Sequence, residues 1–267
     1  MPSIHRMAAA GFGAKADAYA RGRPDYPPEV EAWLRDDLAL GAGKKALDLG
    51  SGTGKFLPRL LATGAAVIAV EPVAAMRAQL TQHNPDVEAR EGSAEQIPLD
   101  DGAVDAIVCA QSFHWFANTG ALAEIRRVLK PGGVLGLIWN VRDQRVAWVA
   151  ALTRIMAPYE AGIPRYDHQE WRKVFPAEGF GPLRERHFPH AHSGPAQQVI
   201  IDRVLSVSFI AALPPMEQAR VAQQVHALIA ATPELAGKAE VTFPYDTAAF
   251  SCVRNQFSTN TRFTHKI

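Results

Sequence analysis

Residues 46–54, Ala46-Leu47-Asp48-Leu49-Gly50-Ser51-Gly52-Thr53-Gly54, decide how this chain folds. A short apolar run carrying one acid leads into three glycines at alternate positions. Glycine allows a sharp turn and lets a ligand approach the backbone with no Cβ in the way. The next stretch, 55–61, reads as a helix whose first N–H groups lack partners. Strand, glycine turn and helix form the nucleotide-binding corner of an open α/β sheet. A dinucleotide corner needs G-x-G-x-x-G, with the pyrophosphate on the helix N-terminus. Here the third glycine comes one residue early and Lys55 stands in its place. Asp48, two residues before the first glycine, would repel a pyrophosphate and suits a cationic ligand. A second acid, Glu71, closes the next apolar run at 66–70, where a strand end offers a carboxylate to ribose hydroxyls.

Three further motifs follow in order: Glu71-Pro72, Met76, and Gly92-Ser93-Ala94-Glu95. Over residues 40–140 the chain resembles the class I S-adenosylmethionine-dependent methyltransferases. Within them it is similar to the small-molecule branch that includes the ubiquinone-biosynthesis and aconitate methyltransferases. The resemblance implies a Rossmann-like, mostly parallel seven-stranded sheet with helices on both faces and an antiparallel end. It also implies S-adenosylmethionine as cofactor and a small-molecule methyl acceptor. Carried onto this sequence, Gly50, Gly52 and Gly54 give the close backbone approach, and Asp48 holds the loop and favours the cationic methionine end. Glu71 takes the ribose hydroxyls, Met76 packs on the adenine, and Ser93 and Ala94 read its edge. Gln111 reaches the methionine moiety, with Tyr19 and Arg23 of the N-terminal arm nearby. Core packing is the competing reading for Met76.

Composition agrees with an ordinary globular chain. The 267 residues are 48% hydrophobic and 21% charged, and they suit one elaborated α/β domain or two small ones. A net charge of +1 gives no electrostatic case for nucleic acid or a membrane surface. No apolar run reaches the length of a membrane span. The two cysteines, Cys109 and Cys252, read as reduced thiols of a cytoplasmic protein. Nothing in the sequence settles the oligomeric state.

The pattern divides the chain into an N-terminal arm and helix (1–40), a cofactor-binding core (41–140), final strands with an inserted helical lid (141–250), and a polar tail (251–267). Helical stretches are expected at 9–19, 28–40, 55–63, 73–83 and 121–129, with strands at 46–49, 66–70, 87–91, 104–110 and 134–139. Near-continuous apolar strands separated by helices argue for a parallel sheet covered on both faces. Lys130-Pro131-Gly132-Gly133 reads as a turn that stops a helix. Beyond 140, helices are expected at 145–158, 167–176 and 195–232, with strands at 183–188 and 240–245. The tail from 251 onward shows no strand or helix periodicity.

The acceptor side begins at the carboxyl end of the 104–110 strand, where open α/β sheets bind ligands. His114, in the run Phe113-His114-Trp115-Phe116, is the candidate general base, its ordinary pKa lying near neutrality. The competing reading is that His114-Trp115 anchors this loop. Trp115, Trp139, Arg142 and Arg203 are the candidate substrate-side residues. Arginine forks suit a carboxylate, which points to an organic acid, whereas Trp115, Phe116 and Trp139 suit an apolar acceptor equally well. His187, His190 and His192 alternate along an expected strand and so face both ways, which argues against a metal site. The principal alternatives to a methyltransferase are a cofactor-binding regulator without catalysis and an NAD-type oxidoreductase.

Overall fold

The computed structural model describes residues 23–160 and 162–256 of the chain. The expected helix at 9–19 and the assignment of Tyr19 lie outside them. Seven strands form one sheet: β1 (Lys45–Leu49), β2 (Ala66–Val70), β3 (Glu88–Arg90), β4 (Val104–Ala110), β5 (Leu129–Arg142), β6 (Arg184–Gly194) and β7 (Val241–Val253). Their order is β3-β2-β1-β4-β5-β7-β6. Strands β1 to β5 are mutually parallel, and β7 runs antiparallel to both of its neighbours. The order reverses direction between β1 and β4, and that switch point opens a crevice beyond the strands' carboxyl ends.

Both sheet faces are buried, as the unbroken apolar strands require. Leu47 and Leu49 join a core cluster with Phe113, Ile125 and Trp139, whereas Ala46 belongs to the opposite one, with Trp33, Leu34 and Leu60. The covering helices are α1 (Val30–Asp36), α2 (Leu57–Leu61), α3 (Ala74–His83) and α4 (Thr119–Val128). Asn118 caps α4, its side chain accepting the Ala121 N–H. Four more helices follow: α5 (Ala147–Met156), α6 (Arg203–Leu205), α7 (Ser208–Ala211) and α8 (Pro215–Ala231). A third apolar cluster, including Val149, Leu152, Val221 and Val225, fastens this helical layer to Phe243 and Tyr245 of β7.

Several elements differ from the sequence expectation. Lys130-Pro131-Gly132-Gly133 is drawn into β5 as an irregularity, since Val104 pairs with Leu129 but Ala106 pairs with Val134. Gly132 and Gly133 exchange backbone hydrogen bonds with Arg254, which is why the segment is held rather than free. The strand expected at 183–188 continues to Gly194. The one expected at 240–245 runs to Val253, so Ser251, Cys252 and Val253 belong to the sheet and not to a tail. Residues 248–252 are buried on both faces, which erases the alternation that marks a half-exposed strand. The helix expected at 167–176 is a single 3-10 segment, Glu170–Val174. The one expected at 195–232 breaks into a π-helical turn (Gln197–Asp202), α6, α7 and α8. Extended backbone at Val207 and Pro214 makes the later breaks.

Candidate active site

At the switch point a cleft of about 1170 Å³ lies over the glycine turn. The turn is anchored to β2: the Gly50 and Ser51 N–H groups both donate to the Val70 carbonyl, at 2.8 and 3.2 Å. Glu71 completes the anchoring, its Oε2 accepting the Gly52 N–H and its Oε1 the Val73 N–H, each at 2.8 Å. Glu71 also lines the cleft, so the carboxylate that anchors the turn borders the ligand space. Gly52 has φ +58°, and among the described residues a Cβ there would meet only Met76 Sδ, at 4.0 Å. The backbone at Gly52 therefore forms an open cradle.

Gly50, Gly52, Glu71, Met76, Ser93, Ala94, Gln111 and Arg23 all line this cleft. Two expected contributors do not. Gly54 sits behind the turn, where a Cβ would crowd Leu57, Leu80 and Asn84 at 3.0–3.1 Å, so it lets the loop approach α3. Asp48 is fully buried with neither carboxylate oxygen hydrogen-bonded, so Glu71, and not Asp48, holds the loop. Burial, with a smaller effect from Glu71, pushes the Asp48 carboxyl up to about 8. It is therefore largely protonated at neutral pH.

A second cavity, of about 740 Å³, adjoins the first and shares Arg23, Gln111, Trp115, Asn140 and Arg203 with it. His114, Trp139 and Arg142 line this second cavity. Gln111 turns at the junction with φ +59°, a left-handed conformation that costs a non-glycine residue about 1–2 kcal/mol. Its N–H donates to the Ile138 carbonyl at 2.8 Å, which fixes that turn to β5. Residues 23–26 roof the junction. Lys55 Nζ donates to the Arg23 carbonyl and to Asp25 Oδ1 at 2.8 and 3.0 Å, and Asn140 Nδ2 donates to the Asp25 carbonyl at 3.1 Å. Lys55, the residue that breaks the dinucleotide pattern, is thus the clamp on this roof.

The comparisons with known proteins bear on the same corner. Residues 47–137 match the model of a methyltransferase domain. The chain is 38% identical over 234 residues to a methyltransferase-like protein of Schizosaccharomyces pombe, covering 87% of this chain and 91% of that one. It is 39% identical to an uncharacterized methyltransferase of Mycobacterium tuberculosis, covering 95% and 98% of the two chains. The chain belongs to the class I S-adenosylmethionine-dependent methyltransferases. A solved structure described as a type II methyltransferase of Anaeromyxobacter dehalogenans shares the fold. It superposes with a TM-score of 0.61 at 24% identity, over 87% of this chain and 96% of that one.

The cofactor of the methyltransferase, S-adenosylmethionine, supplies an activated methyl group on a sulfonium. The residues present fit it. The Gly52 cradle has room for close approach, Glu71 lines the cleft beside it, and the roof residues close the end nearest the second cavity. Among the described residues no group of three or more His, Cys, Asp or Glu side chains could hold a metal. His187 pairs with Asp246 and Glu185 at 2.8 and 2.9 Å, while His190 and His192 share the opposite face of β6.

The second cavity of the methyltransferase is electropositive. Arg142 and Arg203 are each only 7% exposed, and Arg142 Nη2 and Arg203 Nε and Nη1 have no hydrogen-bond partner among the described residues. Arg142 Nη1 reaches only Met156 Sδ, at 3.5 Å. Burial, then Arg165 and Arg203, push Arg142 down to about 9, which leaves it a cation at neutral pH. Arg165, which sequence reading missed, is ion-paired with Glu160 and Asp167 at 2.7 and 2.9 Å. Tyr166 was missed as well; its ring lies 5.1 Å from that of Trp139 and forms an aromatic wall with it. Neither residue carries a local signal, because 160–168 has no periodicity. His114 accepts a hydrogen bond at Nδ1 from Trp139 Nε1 at 3.1 Å. Burial, followed by Arg165 and Arg23, pushes its pKa down to about 3, so the imidazole is neutral and a weak base.

Proposed function

We propose that the methyltransferase transfers its methyl group to a carboxylate oxygen of a small organic acid, giving a methyl ester. The observation that carries this reading is the pair of buried guanidiniums, Arg142 and Arg203, with N–H groups unpaired beside the junction of the two cavities. Like charges gathered in a low-dielectric pocket oppose folding unless an anion joins them. A planar carboxylate matches the guanidinium fork. The titratable groups around the cavity support the same acceptor. His114 is too weak a base to strip a phenol or an ammonium, Tyr166 is pushed up by burial, and Asp167 is paired with Arg165. A carboxylate arrives already deprotonated and needs no base.

Trp115, Trp139 and Tyr166 offer apolar surface for the body of such an acid. In this reading the layer of α5 to α8 acts as a lid that excludes water during transfer. The net charge of +1 and the reduced cysteines fit a small-molecule enzyme of the cytosol. The test is release of S-adenosylhomocysteine against a panel of carboxylic acids, phenols and amines. Turnover confined to carboxylates, with a base-labile product, is expected. Turnover of phenols or amines in preference to every carboxylate would exclude the reading.

A further inference from the structure

We propose that His114 is held as a neutral imidazole with its proton on Nε2, and that this N–H orients the acceptor's reacting group. The second half rests on the reading of the second cavity as the acceptor site. The first half rests on geometry alone. An indole N–H can only donate, so the 3.1 Å contact from Trp139 Nε1 requires a lone pair on His114 Nδ1. An imidazolium, or the other tautomer, would set N–H against N–H and break the contact.

Both rings are fixed by the sheet. Trp139 is 1% exposed on β5 and packs against Trp171 with ring centroids 4.7 Å apart. His114 lies in the short 3-10 turn Phe113–Trp115. Ser112, just before it, donates its hydroxyl to the Leu49 carbonyl of β1 at 2.7 Å. Among the described residues the charged and titratable groups around the cavity are Arg23, Arg142, Arg165, Arg203, Asp167 and Tyr166, and their positive excess opposes a second proton on the ring. His114 Nε2 makes no hydrogen bond among the described residues, and the ring is part of the cavity wall.

A neutral donor has a specific use here. As a carboxylate oxygen bonds to the methyl carbon, the electron pair of the carbon–sulfur bond leaves with sulfur and the carboxylate loses its charge. Arg142 and Arg203 draw the carboxylate in through its other oxygen, because a guanidinium on the reacting oxygen itself would bind the ground state better than the transition state and slow the step. A neutral N–H loses far less, and it can hold one oxygen while the other faces the methyl group. No proton moves, so His114 keeps its own.

The direct readout is a 15N–1H correlation spectrum of the imidazoles in the full chain, with His114 assigned from the spectrum of His114→Gln. The Nε2-protonated pattern, constant from about pH 5.5 to about pH 8.5, is expected. An Nδ1-protonated pattern, or a titration midpoint inside that range, overturns the proposal. Trp139→Phe removes the N–H while keeping an aromatic ring, and should give a tautomer mixture. If that variant does not fold, the wild-type pattern decides this half. With a carboxylate acceptor from the panel above, His114→Gln supplies an amide N–H near the Nε2 position and should retain most activity. His114→Leu should lose about tenfold or more in kcat/KM, with S-adenosylhomocysteine affinity unchanged. A Leu variant as active as wild type overturns the orienting role. Failure of every carboxylate on the panel would instead strike the acceptor reading, and the imidazole spectrum would still judge the tautomer.

Discussion

The N–H of Gly52 donates to Glu71 Oε2 at 2.8 Å, joining the middle glycine of the turn to the acid at the end of β2. One carboxylate thus holds the loop in shape and also faces the space above it. Glu71→Ala should therefore act in two ways. It removes charge-assisted bonds to the Gly52 and Val73 N–H groups, each worth about 1.5–3 kcal/mol, and it removes the carboxylate proposed to accept from the cofactor's ribose. Both the melting temperature and S-adenosylhomocysteine affinity should fall. Glu71→Gln, which keeps one carbonyl acceptor, should fall between the two. Unchanged affinity in the Ala variant would remove Glu71 from the binding site.

Gly52 separates folding from binding more cleanly. A side chain at φ +58° carries a strain of about 1–2 kcal/mol, yet among the described residues its Cβ would meet nothing nearer than Met76 Sδ at 4.0 Å. Gly52→Val should leave a folded protein by circular dichroism, with a modestly lower melting temperature. Its β-branched side chain projects into the cleft, so calorimetry should detect no cofactor binding. An unfolded variant would mean that the turn itself needs this glycine.

Asp48 should make stability depend on pH. Its carboxyl titrates near 8 when folded, against an ordinary value of 3.8, so between those values the folded chain keeps a proton that the unfolded chain releases. Stability then falls as pH rises from about 4 to about 8, by on the order of 1.4 kcal/mol per unit, and levels off above. Asp48→Asn removes this slope. Thermal melts should show the variant gaining on wild type as pH rises through that window. Parallel curves for the two proteins would show that Asp48 does not titrate there.

The glycine corner was legible because its parts are local. Gly50, Gly52, Glu71, Met76, Ser93 and Ala94 each follow a strand end by a fixed few residues, so chain connectivity alone delivers them to one cleft. The division of labour between Asp48 and Glu71 was not legible. Both are acids at strand ends, and only the turn's geometry decides which one meets the Gly52 N–H. Arg165 is held by Glu160 and Asp167 within its own irregular segment and Tyr166 by its ring contact with Trp139, and neither arrangement leaves a period in the sequence. The length of β7 was hidden for the opposite reason. Its second half is buried on both faces, so its pattern is uniform where a half-exposed strand alternates.

Arg142 and Arg203 bring the acceptor question to a direct test. Arg142 extends from the end of β5 and Arg203 from α6, so the sheet and the helical layer each contribute one guanidinium. Their unpaired N–H groups are buried where water satisfies them poorly, which raises the value of an anion there. Arg142→Ala or Arg203→Ala should remove charge-assisted bonds worth about 1.5–3 kcal/mol, raising the acceptor KM about tenfold or more. S-adenosylhomocysteine affinity should survive Arg142→Ala, because Arg142 lines the second cavity alone, but should weaken slightly in Arg203→Ala, because Arg203 also lines the first. Both variants should melt no lower than wild type in the absence of acceptor, since each substitution relieves repulsion within the cluster. Steady-state kinetics with the acceptor varied, paired with thermal melts, check all of this. Full activity of both variants would show that the acceptor is held by other groups.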